Sequence, residues 1–179
     1  IAAAFESNKE VMLTNMLASF KLLIPSVFLS LVIAVIFGTI MGLNKKIREA
    51  LHPVIYAFSV IPSILLSPFV LLLSPTLLSA SIFLVVYNIV WATLFATITA
   101  ASPSILAGFV NSLRSSFVML VFAEMYGGGS GMGYFVKKNS ELGVFANTWV
   151  GFIFMVIVLV VVMQIFEKVK EQLLKWTID

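Results

Sequence analysis

The sequence contains no cysteine, a single histidine and few charges. Without cysteine there is no disulfide framework and no thiolate metal site. One histidine, His52, cannot assemble a metal cluster by itself. Eleven basic and eight acidic residues make up 11% of the 179-residue chain, against roughly 25% in an average soluble domain. That is too little charge to cover a water-facing surface. A soluble enzyme, a nucleic-acid-binding domain and a disordered tail are all excluded on this ground. Strands of alternating polarity, the mark of a membrane β-barrel, are missing as well.

What the chain has instead is apolar bulk. Hydrophobic residues account for 61% of it, sixteen of them Phe, and the mean hydropathy is +1.12. This composition suits lipid as solvent. A helix needs about 20 apolar residues to cross the hydrocarbon. Five stretches qualify: 20–43, 54–73, 77–100, 104–123 and 147–166. The chain is therefore read as an all-α, polytopic membrane protein forming one domain over 1–179. Residues 167–179 are expected to form a short amphipathic helix, with Phe166, Val169, Leu173 and Trp176 on one face.

The basic residues set an orientation. Lys45, Lys46 and Arg48 lie between the first two spans, and Lys168, Lys170 and Lys175 follow the fifth. Alternation of five spans puts both groups on one side. The opposite side holds Lys9, Lys137 and Lys138, with Lys21 at its edge. The positive-inside rule then makes the 44–50 loop and the C-terminus cytoplasmic. The N-terminal segment and the Gly-rich 125–145 loop face outward, the latter as a flexible connection. That Gly-rich run lacks the Lys-Ser/Thr of a phosphate-binding loop and follows no strand. The net charge of +3 fits basic cytoplasmic loops and needs no nucleic-acid partner.

Several spans carry patterned polar or small residues. Ser26, Ser30, Ala34, Gly38 and Gly42 recur every fourth position in the first, and Gly108, Ser112 and Ser116 repeat that spacing in the fourth. Small residues let helix backbones approach closely where lipid offers no hydrophobic drive, so both stripes are expected to be packing faces. In the second span, Pro53 fits a first helical turn. Pro62 and Pro68 are interior and should kink the helix; such breaks in transporters accompany the substrate path. Asn88 in the third span, and Asn111, Arg114 and Ser115 in the fourth, are candidate path-lining groups, with Glu124 at the fourth span's end. A central Arg costs roughly 3 kcal/mol to insert, so Arg114 must face the bundle interior, a wet cavity or a carboxylate. Glu124 is ten residues further along, about 15 Å on one helix, and cannot pair with it. No catalytic constellation and no metal-ligand spacing occur, and His52 reads as interfacial.

These residues together resemble the permease subunit of binding-protein-dependent ABC importers of the nitrate/sulfonate/taurine/bicarbonate group. The resemblance covers nearly the whole chain. It rests on Met16-Leu17-Ala18-Ser19, the Gly38 and Gly42 steps, Leu51-His52-Pro53 with Pro62 and Pro68, Ala123-Glu124 followed by Gly131-Met132-Gly133, and the ending Leu173-Leu174-Lys175-Trp176. It implies a transport subunit of a bacterial inner membrane that is not itself an enzyme and binds no cofactor. It further implies a second permease subunit, identical or homologous, two ATP-binding subunits that use ATP and Mg, and an external solute-binding protein. If Arg114 faces the path, the solute is anionic or zwitterionic.

The chain departs from the family at three places. The cytoplasmic loop with the E-A-A-x-x-x-G pattern is absent, so that Ala100-Ala101-Ser102-Pro103 joins two spans directly. The membrane helix with which family members begin is also absent, and the chain starts at Ile1. A permease core that omits its first helix and coupling loop is expected. Third, Arg114 stands where the family carries a small residue, and Val110 where many members carry Arg. Two other classes stay open from the residues alone: a non-transporting scaffold or regulatory subunit without ATPase coupling, and a channel or secondary transporter.

Overall fold

A computed structural model describes residues 2–98, 102–127 and 129–174. Every element among them is a helix: α1 (Ala2–Leu43), α2 (Lys45–Ser59), α3 (Ser63–Leu73), α4 (Leu77–Ile98), α5 (Ser102–Gly127), α6 (Met132–Glu141) and α7 (Phe145–Leu174). By length and composition α1, α4 and α7 can each cross a membrane, and the bent pair α2–α3 makes a fourth if counted as one span. The protein is thus all-α and suited to a membrane, with three or four of the five expected spans meeting that test. The fourth expected span, 104–123, is helical within α5.

α4 is the central element, flanked by α1 on one side and α5 on the other. Small residues set these approaches. On α1, Ser26, Ser30, Ala34 and Gly38 are buried, and a Cβ on Gly38 would come within 2.6 Å of Thr97 Cβ on α4. Gly42 is looser, its nearest neighbour at an ordinary 3.6 Å. On α5, a Cβ on Gly108 would come within 2.8 Å of Ala96 Cβ, while Ser112 and Ser116 are buried. The buried hydroxyls bond back to their own helices, Ser26 Oγ to Leu22 O at 2.7 Å and Ser116 Oγ to Leu113 O at 2.6 Å. They therefore pack without an unmet polar group. Leu84, Val85 and Ile89 of α4 fill the core with Leu113, Phe117 and Leu120 of α5.

α1 and α4 run parallel. Gly38 meets Thr97 near their C-terminal ends, and Lys21 shares a cleft with Leu77 near the start of α4. α1 has 42 residues, about 63 Å at 1.5 Å per residue, roughly twice the hydrocarbon thickness. Its first half extends past the start of α4, and there Met12 packs with Met132 and Phe135 of α6 and Val150 of α7.

Five local expectations change. Residues 44–50 are not a loop: Asn44 caps α2, its side chain accepting from Lys46 N (3.1 Å) and Ile47 N (3.3 Å), so helix resumes at once. Pro53 therefore lies inside α2 rather than in its first turn. Pro62 is not a mid-helix kink: it is the extended N-cap of α3, with φ −61° and ψ 131°. The second span is two helices at 90°, with Pro68 inside α3. The 125–145 stretch is not simply flexible, because α6 forms within it. Finally, residues 167–174 continue α7 without a break. The 100–101 junction, Ile1 and the Lys175–Trp176 ending lie outside the described residues.

Candidate functional site

Two polar assemblies stand out in this apolar bundle. The first lies around the middle of α4. Asn88 donates from Nδ2 to Ser115 Oγ on α5 (3.0 Å) and accepts at Oδ1 from Ser63 Oγ on α3 (3.3 Å). Ser63 is the first residue of α3, so this amide ties the break of α2–α3 to both neighbouring helices. Tyr87 adds a second tie, its hydroxyl donating to Phe58 O near the end of α2. The backbone interruption is thus met by side chains of α4, as an interruption at membrane depth requires.

From Ser115 the polar surface continues around α5. Asn111, Arg114, Ser115 and Val118 are the exposed residues of its middle, whereas Ser112, Leu113, Ser116 and Phe117 are buried. Helical spacing puts Asn111 and Val118 between Ser115, on the α4 side, and Arg114, on the α7 side. Arg114 is paired with Glu167 of α7. The result is a band crossing four helices: Ser63, Asn88, Ser115 with Asn111, Arg114, Glu167. Both charged side chains in it remain substantially exposed, at 61% and 40%. Lipid is a poor neighbour for such a surface.

The second assembly is at the end of the bundle where α5 stops and α6 starts. The first N–H groups of a helix have no partner within it. Here three successive amides find side chains of other helices. Gly131 N donates to Asn15 Oδ1 (2.9 Å), Met132 N to Ser19 Oγ (3.0 Å) and Gly133 N to Glu124 Oε2 (2.8 Å). Asn15 and Ser19 come from one face of α1, and Glu124 from α5. A carboxylate also complements the positive end of the α6 dipole. Gly131 has φ +112°, a backbone state that only glycine adopts without strain. Glu124 is 2% exposed. Its Oε1 is closed to solvent and has no hydrogen bond within normal geometry.

The candidates read from sequence therefore divide. Asn111, Arg114 and Ser115 share the exposed face of α5, and the half-buried Asn88 joins them through Ser115. Glu124 does not join them and is buried against the start of α6. Four further participants are not among the sequence candidates: Ser63, Glu167, Asn15 and Ser19. The four-residue spacing of Asn15 and Ser19 was a usable signal. Nothing local marks Glu167, which the sequence places in the tail 167–179, outside the expected spans. Among the described residues no group of acidic, His or Cys side chains is arranged to hold a metal.

No protein-family model matches the chain, and no curated protein is significantly similar to it.

Proposed function

We propose that this chain is the membrane-spanning permease subunit of an ATP-driven ABC importer, lining the path of a small anionic or zwitterionic solute. The observation that carries the reading is the polar band Ser63–Asn88–Ser115/Asn111–Arg114–Glu167, which runs from the buried Ser63 and half-buried Asn88 to the exposed Ser115, Asn111 and Arg114. It lies beside a helix break, in a surface that lipid solvates badly. A second membrane subunit, identical or homologous, would cover this face and enclose a wet path. The contact between Ala123-Glu124 and Gly131-Met132-Gly133 gives further support, because it joins the two halves of the signature on which the family resemblance rests. Glu124 in this reading is a positioning residue that fixes α6.

ATP hydrolysis, with Mg, belongs to two partner ATPase subunits, and solute is delivered by an external binding protein. The membrane is the bacterial inner membrane, with the C-terminus and the Lys45–Arg48 turn on the cytoplasmic side.

The absence of native cysteine makes the test direct. Ser115→Cys and Asn111→Cys, co-expressed with the partner ATPase, are treated with a membrane-impermeant thiol reagent during uptake. Both should be modified, with loss of uptake, while Phe28→Cys on the apolar exposed face of α1 should not react. An unreactive Ser115→Cys in an otherwise active transporter would overturn the path assignment. Purification of the intact assembly without any ATPase would favour a scaffold or regulatory subunit.

A further inference from the structure

α1 and α4, each able to cross a membrane, finish side by side: a Cβ on Gly42 would lie 3.6 Å from Ile98 O. One membrane surface therefore falls at this level, and α2 begins there with Lys45, Lys46 and Arg48 in its first turn. An open cleft of about 650 Å³ lies beside that turn, lined by Arg48, Glu49, His52 and Pro53 of α2 and Ile98 of α4. The acid of the cleft is already met, Glu49 Oε1 lying 3.7 Å from Lys45 Nζ. Arg48 is half-buried. Among the described residues, neither its side chain nor that of Lys46 has a hydrogen-bond or ion-pair partner. The His52 ring stands edge-on to Phe95 of α4, 6.0 Å between centroids, and stacks on Tyr56. No residue of α2 is buried, and its apolar Leu51, Val54, Tyr56 and Phe58 are exposed, as suits a helix with lipid around it.

We propose that this cleft binds the headgroup of an anionic phospholipid, with its phosphate on Arg48 and His52. A guanidinium presents a planar fork of donors that matches phosphate bidentately, and an imidazole adds a ring N–H. The unspent cations stand at the level where headgroups lie, and the exposed apolar side chains of α2 meet the acyl chains of the same layer. A zwitterionic lipid offers the same phosphate but carries its own cation, which Lys46 and Arg48 repel, so net negative charge decides the choice. The inference goes beyond the transport reading and needs neither solute nor ATPase.

The full chain, purified in neutral detergent and stripped of lipid, tests it through Tm as lipid is added. Phosphatidylglycerol should raise Tm saturably, and phosphatidylcholine should need at least about fivefold more, the factor for one basic contact to an anionic lipid. Arg48→Gln should raise the half-saturating phosphatidylglycerol concentration by about the same factor and leave the lipid-free Tm unchanged. His52→Leu, which removes the other donor, should shift it in the same direction and serves where Arg48→Gln does not fold. Lys9→Gln, one charge fewer at the opposite end of α1, should leave it unchanged. Equal responses to the two lipids overturn the proposal, as does an unshifted response in the cleft variants. An equal loss in Lys9→Gln also overturns it, because net charge rather than the cleft would then attract the lipid. Inorganic phosphate raising Tm as far as phosphatidylglycerol would assign the cleft to a soluble anion and overturn the lipid assignment.

Discussion

The Glu124 carboxylate occupies the space beside Gly131 that a side chain at that position would need. A Cβ built on Gly131 overlaps the carboxyl carbon and both carboxylate oxygens, and the backbone there has φ +112°. The same carboxylate accepts from Gly133 N two residues on. One acidic residue of α5 thus fixes both the path of the chain into α6 and the choice of glycine at its entrance.

Gly131→Ala should consequently be among the most damaging single changes in the protein. The backbone there, with φ 112° and ψ 165°, costs a non-glycine residue about 1–3 kcal/mol, and overpacking adds about 1–3 kcal/mol. Thermal unfolding in detergent should show a clear fall in Tm. Gly129→Ala, with open space around its Cβ, is the matched control and should leave Tm nearly unchanged.

The α1–α4 approach makes a graded prediction. Gly38→Val puts a branched side chain where even a Cβ would be 2.6 Å from Thr97 Cβ and 3.1 Å from Leu94 O. It should cost about 1–3 kcal/mol and loosen α1 from α4. Gly42→Ala meets only ordinary contacts, the closest at 3.6 Å, and should be tolerated. Equal effects of the two changes on unfolding would contradict the packing described.

Asn88 joins α3, α4 and α5, so Asn88→Leu should separate two effects. Removing the amide leaves Ser63 and Ser115 without this partner. Interhelical hydrogen bonds of this kind contribute about 0.6–2 kcal/mol in membranes. A modest drop in stability accompanied by loss of uptake fits a path-lining role. The same drop with normal uptake kinetics assigns Asn88 to helix joining alone.

The Arg114–Glu167 pair calls for a charge swap. Both side chains are more than a third exposed, so in water the pair would contribute up to about 1 kcal/mol. Arg114→Glu and Glu167→Arg should each lower stability by about that amount, and the double variant should recover most of it. Additive losses in the double variant would show that the two charges do not interact. Arg114→Ala should abolish uptake without lowering assembly if Arg114 faces the path.

Much of the helical layout was legible in the sequence, because long apolar runs and four-residue spacing of small residues are local properties. The stripes Ser26–Gly38 and Gly108–Ser116 could be read as faces before any neighbour was known. The α2–α3 break was only half legible. Pro62 announced a disturbance, but a proline can kink a helix or end it. Here it ends one: α3 turns through 90°, Tyr87 takes up Phe58 O at the end of α2, and Asn88 holds the Ser63 side chain at the start of α3. Helix α6 was missed because ten residues with a polar face carry little hydropathy signal, and its start is held by Asn15, Ser19 and Glu124, all distant in sequence or on another helix.

Composition and periodicity by themselves determined that this is a lipid-suited, all-helical chain, with small-residue faces and costly polar groups inside its spans. They did so because hydrophobicity and helical spacing are written residue by residue. Only the tertiary structure decided what those polar groups do. Arg114 required a counter-charge, and any carboxylate within reach would have met the requirement; the packing of α5 on α7 selected Glu167, 53 positions away. Glu124, a path candidate by sequence, turns instead to the start of α6, where three successive amides require acceptors and it supplies one. Pairing of this kind depends on which helices lie side by side, and no local pattern specifies that.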